Sequence, residues 1–253
     1  MHVTGRRWPD LGRALAALLC LVTLAAACGG DEGTPAGPPE GSQVVTFTSA
    51  DGITLEGRLL GEGSVGVVLS HMRPSDQTSW WDLAGDLADE GYLVLTYDFR
   101  GYCPGGAAGC SEGEQDLGEI WRDVVGAVGF IRSRGAQQVV LIGASMGGTA
   151  SLMAAAQDGV DADVVVTLSA PVVFEGMNLT PEILTRVSAA KLFIAGTGDG
   201  SAADDAQTLY ASSPPPKRVE ILTTDDHGTD ILDGNQSGRA RTLILAYLEA
   251  ATS

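Results

Sequence analysis

The chain has 253 residues, with 32 acidic side chains against 15 basic ones, a net charge of −17, and 44% hydrophobic residues. An acidic excess of this size disfavours nucleic acid and anionic lipid head groups as partners, and it suits solubility. The length leaves room for one domain with a substantial core.

At the amino terminus, Arg6, Arg7 and Arg13 precede an apolar run from Ala14 to Ala27. The run is shorter than the roughly 20 residues that cross a bilayer and ends in small residues, the pattern of a signal peptide over residues 1–27. Leu24-Ala25-Ala26-Ala27-Cys28 resembles a bacterial lipobox, with its leucine one residue further from the cysteine than the pattern favours. That resemblance implies lipidation of Cys28, a membrane anchor and an extracytoplasmic location. The alternative is simple secretion, with Cys28 left as a free thiol. Asp31 to Ser42 carries no large apolar residue, so residues 28–42 are expected to form a flexible tether and residues 43–253 the folded domain.

Runs rich in Val, Leu and Ile follow at 44–48, 55–60, 66–70, 92–97, 139–143, 164–169, 191–195 and 218–222, and these predict eight strands. The first two carry polar positions that suit an antiparallel edge. The later ones are almost continuously apolar, as in a parallel sheet covered on both faces. Helical periodicity over 80–90, 116–134, 146–156, 203–212 and 238–250 alternates with them, which predicts a doubly wound, mostly parallel α/β sheet.

Within this frame, the strand Val139–Gly143 runs into Gly143-Ala144-Ser145-Met146-Gly147-Gly148 and then a helix-forming stretch. A serine on a tight strand-to-helix turn needs small neighbours, and it is presented at a helix amino terminus that favours developing negative charge. Ser145 is therefore the candidate nucleophile. It requires a base, and beyond residue 27 the chain offers only His71, upstream, and His227, after the last strand. The order Ser, acid, His selects His227. Asp199, in the loop after the seventh strand, is the best-placed acid, with Asp204 and Asp205 as rivals and Asp225 and Asp226 close to the histidine in sequence. Cys103 and Cys110 share one Gly-rich loop. Outside the cytoplasm they are expected to form a disulfide, the competing reading being a pair of metal ligands without nearby partners.

From about Val44 onward the chain resembles the α/β-hydrolase superfamily, nearest in flavour to dienelactone-hydrolase-like and small serine esterase members. The resemblance rests on the Ser145 elbow, on Ser70-His71-Met72 in place of the family's HG turn, on Asp98-Phe99-Arg100-Gly101, and on Ser169-Ala170-Pro171. It implies an oxyanion hole from the backbone amides of Met72 and Met146, a bracing role for His71, and no metal or organic cofactor. The family's caps usually follow the sixth strand, where residues 171–190 leave no room for one, so an open site is expected. Val172, Val173, Phe174, Met177 and Leu179 stand either as its apolar walls or as packing. The activity implied is hydrolysis of small or soluble carboxylic esters through an acyl-serine. The alternatives are an amidase or peptidase with the same triad, or a binding lipoprotein that keeps the fold.

Overall fold

The computed structural model describes Met1, His2 and residues 37–253. The proposed leader, Cys20, Cys28 and residues 28–36 of the tether lie outside the described residues.

The domain opens with the hairpin β1 (Gln43–Thr48) and β2 (Thr54–Leu60), in which Val45, Phe47 and Leu55 turn inward and their neighbours along each strand are more exposed. This alternation marks strands with one solvated face. Then come β3 (Val65–Ser70), α1 (Trp81–Asp89), β4 (Leu93–Tyr97), α2 (Trp121–Ser133), β5 (Gln138–Ala144), α3 (Met146–Ala155) and β6 (Val164–Leu168). A small hairpin, β7 (Val173–Phe174) and β8 (Met177–Asn178), and the single turn α4 (Pro181–Leu184) lead to β9 (Ala190–Gly196). The chain closes with α5 (Ala202–Ser212), β10 (Lys217–Leu222) and α6 (Ser237–Thr252).

Eight strands form one sheet in the order β1-β2-β4-β3-β5-β6-β9-β10. The pairings β1–β2 and β2–β4 are antiparallel, and from β4 to β10 every pairing is parallel. The apolar residues of the central strands divide by alternation. Val68, Leu95, Leu141, Val165 and Phe193 pack under α2, α3 and α5. Val67, Val94, Val140, Val166 and Leu192 pack under α1 and α6. Burial on both faces accounts for their continuous apolar character.

One local expectation is corrected. Helix α2 starts at Trp121 rather than Asp116, because residues 116–120 close isolated turns, with Glu119 N–H donating to Asp116 and Arg122 N–H to Glu119. The segment after β6 forms the β7–β8 hairpin and one helical turn. Within it Met177 and Leu179 are core residues, 1% and 2% exposed, while Val173 is exposed.

Candidate active site

The parallel strands carry the candidate residues at their carboxyl ends, where an open α/β sheet places its ligand crevice. Ser145 follows β5 with φ 49° and ψ −119°, a conformation costly for any residue but glycine. The turn is locked by its glycines. A Cβ on Gly143 would lie 2.3 Å from the Gly147 carbonyl oxygen, and one on Gly147 would lie 2.2 Å from that of Ser70. The Ser145 N–H donates to the Leu168 carbonyl at 2.8 Å, which ties the elbow to β6. Met146 opens the ten-residue helix α3, so its amide has no intrahelical acceptor.

Asp199 and His227 come from loops that bind each other. Thr197 N–H donates to Leu222 and Gly198 N–H to Thr224, at 2.8 and 3.0 Å. His227 Nδ1 lies 2.8 and 2.9 Å from the two carboxylate oxygens of Asp199. A carboxylate oxygen accepts, so Nδ1–H is the donor of this pair, and the tautomer it selects presents Nε2 as the acceptor. Asp199 is 12% exposed and His227 40%. Together with Ser145, Ser169, Pro171, Ser201 and Asp205, both line a cavity of about 160 Å³. No direct hydrogen bond joins Ser145 to His227 among the described residues, a common state for such pairs without substrate.

None of the rival acids has a hydrogen bond to His227 among the described residues. Asp205 lines the cavity but accepts from Ser201 Oγ at 2.9 Å. Asp204 and Asp225 are exposed, and Asp226 accepts from Thr224 Oγ1 at 2.5 Å. A second groove of about 350 Å³, lined by Phe47 to Ala50 and by Val125, Gly126, Gly129 and Phe130 of α2, holds none of the candidate residues.

On the other side of the elbow, His71 is fully buried. Its Nδ1–H donates to the Met72 carbonyl at 2.8 Å, and its Nε2 accepts from Phe99 N–H at 3.1 Å. Burial lowers its pKa to about 4 and holds it neutral. Both ring nitrogens are committed to the backbone, which makes His71 a brace. Met72, standing where the resembling family has glycine, is 6% exposed and belongs to the core beneath α1 and α6. Its Sδ lies under the histidine loop: a Cβ on Gly228, where φ is +56°, would sit 2.5 Å from that sulfur.

The Asp98–Gly101 turn anchors the same side. Arg100 donates to Asp123 through its backbone N–H and Nε, at 2.9 Å each, and through its Nη atoms to Asp51 at 2.9 and 2.7 Å. Asp98 accepts from Gln77 N–H and Nε2 at 2.9 and 2.7 Å, yet burial raises its pKa to about 7. Cys103 and Cys110 are joined by a disulfide. At the root of that loop, Tyr102 sets its ring edge on His71, 4.6 Å between centroids, and its hydroxyl against Met146 Sδ at 3.9 Å. Gln77, Asp123 and Tyr102 belong to no motif in the sequence, and only their contacts across the fold bring them to this side. Ser169 stands out in the sequence only within the Ser169-Ala170-Pro171 turn.

The family described as Serine aminopeptidase, S33 matches residues 66–210, more than half of the chain. The chain belongs to this family of α/β hydrolases. Solved structures share the fold of this hydrolase. An esterase from Pyrococcus furiosus is 17% identical and covers 87% of this chain and 99% of its own, with a TM-score of 0.68. A dienelactone hydrolase from Anabaena variabilis is 21% identical over 83% and 98%, at 0.66. A thermophilic esterase from Thermogutta terrifontis, with malate bound, is 18% identical over 83% and 100%, also at 0.66. No curated protein matches the sequence of this hydrolase.

Proposed function

We propose that this hydrolase cleaves carboxylic esters of small or soluble substrates through an acyl-serine intermediate, with Ser145 as nucleophile, His227 as base and Asp199 as the acid that orients it. The observation that carries the reading is the Asp199–His227 hydrogen bond, at 2.8 Å, facing the same cavity as a serine held at φ 49°. Ser145 Oγ attacks the ester carbonyl carbon while its proton passes to His227 Nε2. The oxyanion is held by the amides of Met146 and Met72, whose charge-directed donation strengthens only as the tetrahedral intermediate forms. Collapse breaks the bond to the alcohol oxygen, which takes the proton back from His227. Water, deprotonated by the same imidazole, then releases the acid and restores Ser145. A cavity of about 160 Å³ suits a short acyl group better than a long chain.

The family's aminopeptidase description favours a second reading, amide or peptide cleavage at the same triad. Paired chromogenic esters and amides of one acyl group separate the two, with faster ester turnover expected. A fluorophosphonate should label the wild type and leave Ser145→Ala unlabelled. A folded wild type that takes no label would move the assignment to a binding protein.

The amino-terminal pattern supports export with lipidation at Cys28 and anchoring outside the cytoplasm. No helix among the described residues is long and apolar enough to cross a membrane. A Cys28→Ala variant should leave the membrane fraction, and its full retention there would defeat the anchor.

A further inference from the structure

We propose that Ser169 is a positioning residue for this hydrolase, whose hydroxyl holds the amide of Gly228 and thereby keeps the His227 imidazole aimed at Ser145. The inference rests on the triad reading above. It starts from a backbone anomaly: Ser169 directly follows β6 with φ 54°, a conformation rare outside glycine, and its side chain is 1% exposed while lining the cavity of Ser145 and His227. Strain of this kind persists only where the surrounding structure imposes it, and it gathers at functional sites.

The hydrogen bonds identify what the strain achieves. The Leu168 carbonyl accepts from the Ser145 amide at 2.8 Å, and the Ser169 amide donates to the Ile194 carbonyl of β9 at 2.8 Å, two residues before the strand ends and the Asp199 loop begins. Ser169 Oγ accepts from the Gly228 amide at 3.0 Å. Two adjacent residues at the tip of β6 thus hold the segments that carry the nucleophile, the acid and the base.

The third grip depends on the serine side chain, since the other two use backbone atoms that any residue would supply. It acts on the residue immediately after the histidine. Gly228 packs closely here, since a Cβ on it would lie 2.5 Å from Met72 Sδ and 3.3 Å from Ala144 Cβ. His227 is thereby fixed at its ring by Asp199 and at its main chain by Ser169. A base displaced by a fraction of an ångström loses the geometry that proton transfer requires, and misplacement of about 1 Å costs on the order of 100-fold in rate.

Two variants separate the hydroxyl from the strain. Ser169→Ala removes the acceptor and keeps a strained Cβ, whereas Ser169→Gly removes the acceptor and fits φ 54° without strain. With a short-chain nitrophenyl ester and the full chain, kcat is expected to fall about 10- to 100-fold in both. KM should hold within about twofold, and because Ser169→Gly relieves the strain while both variants lose the hydrogen bond, its thermal midpoint should be no lower than that of Ser169→Ala. In a His227→Ala background, Ser169→Gly should cause no further loss, because the group it positions is gone. Unchanged kcat in Ser169→Gly, or an equal loss with and without His227, overturns the inference. Exchange of the Gly228 amide proton reads the anchor without turnover: it should quicken about tenfold or more in Ser169→Gly, and an unaltered rate overturns the anchor. A wild type without Ser145-dependent labelling would fail the esterase reading, and the exchange rate would still decide the anchor.

Discussion

On one side of Ser145, Asp199 and His227 hang from loops held to each other and to β6 mainly by uncharged backbone hydrogen bonds at 2.8–3.0 Å. On the other side, the turn that carries Met72 rests on buried titratable groups: His71, Asp98, and Arg100 between Asp51 and Asp123. The first side carries the residues proposed above to move protons, on loops fixed to each other by main-chain hydrogen bonds. The second is braced by charge and keeps its own titration away from the chemistry, since His71 has no nitrogen left to offer. Changes on the proton-moving side should therefore act on rate, and changes on the braced side on stability and its pH dependence.

The largest effect should fall on rate. Ser145→Ala or His227→Ala is expected to lower kcat by as much as about 10⁶, and Asp199→Asn by about 10⁴, the losses seen when members of such a triad are removed singly. Their thermal midpoints should stay near that of the wild type. Burst kinetics with a nitrophenyl ester would expose the acyl-serine, and an Asp199→Asn enzyme of undiminished rate would remove Asp199 from its role.

Next is the braced side. Asp123 is fully buried and shares the Arg100 guanidinium with Asp51, which is one-third exposed. Asp123→Ala strands much of a cation's hydrogen-bonding capacity in the core, with an expected loss of about 3–5 kcal/mol in denaturant unfolding. Activity per folded molecule should change far less than in the triad variants. A collapse of kcat without loss of stability would show that the two sides are not separable in this way.

The pH dependence sharpens the contrast. Burial lowers His71 from its ordinary 6.5 to about 4, so between these values the unfolded chain binds a proton that the folded chain does not. Its contribution is present above about pH 6.5 and is lost as pH falls toward 4. Asp98, raised from 3.8 to about 7, works in the opposite sense: the folded chain keeps a proton that the unfolded chain has released, so stability falls as pH rises from about 4 to 7. The two oppose each other over the window they share. His71→Asn deletes one of them, so relative to the wild type the variant should gain about 3 kcal/mol on going from pH 7 to pH 4. Parallel stability curves for the two proteins would mean that His71 does not carry this linkage.

The same contrast explains what was legible in the sequence. Strands buried on both faces announce themselves by composition, and the elbow by Gly143, Gly147 and Gly148, whose missing Cβ atoms the turn requires. Chain order pointed to His227. It does not by itself separate Asp199 from Asp204 or Asp205 in so acidic a chain, and the contact that favours Asp199 spans 28 positions. Ser169 was hidden for the same reason, as its partner Gly228 lies 59 residues away. The start of α2 differs from its sequence pattern because apolar periodicity continues through Ile120, while the backbone there still closes isolated turns. Val172 to Leu179 could be read as wall or core from their side chains alone, and the hairpin that folds Met177 inward depends on Gly176 at φ +92°.

The smallest expected effect concerns the disulfide, which closes a loop spanning a sequence separation of 7. So short a loop loses little entropy in the unfolded chain, and replacing both Cys103 and Cys110 by serine should cost about 2 kcal/mol. The loop keeps other attachments: Arg58 donates to the Ala107 carbonyl at 2.8 and 3.0 Å, Gln77 Nε2 donates to that of Ala108, and Ser111 Oγ accepts from Glu56 N–H at 3.0 Å. These should hold Tyr102 against His71 and Met146 after the sulfur bridge is gone, so kcat is expected to change less than about threefold. In the native, unreduced wild type neither thiol should react with a thiol reagent. A fall of tenfold or more in kcat on removing the bridge would show that the loop, through Tyr102, tunes the amide of Met146, and would carry the charge-braced side into the chemistry after all.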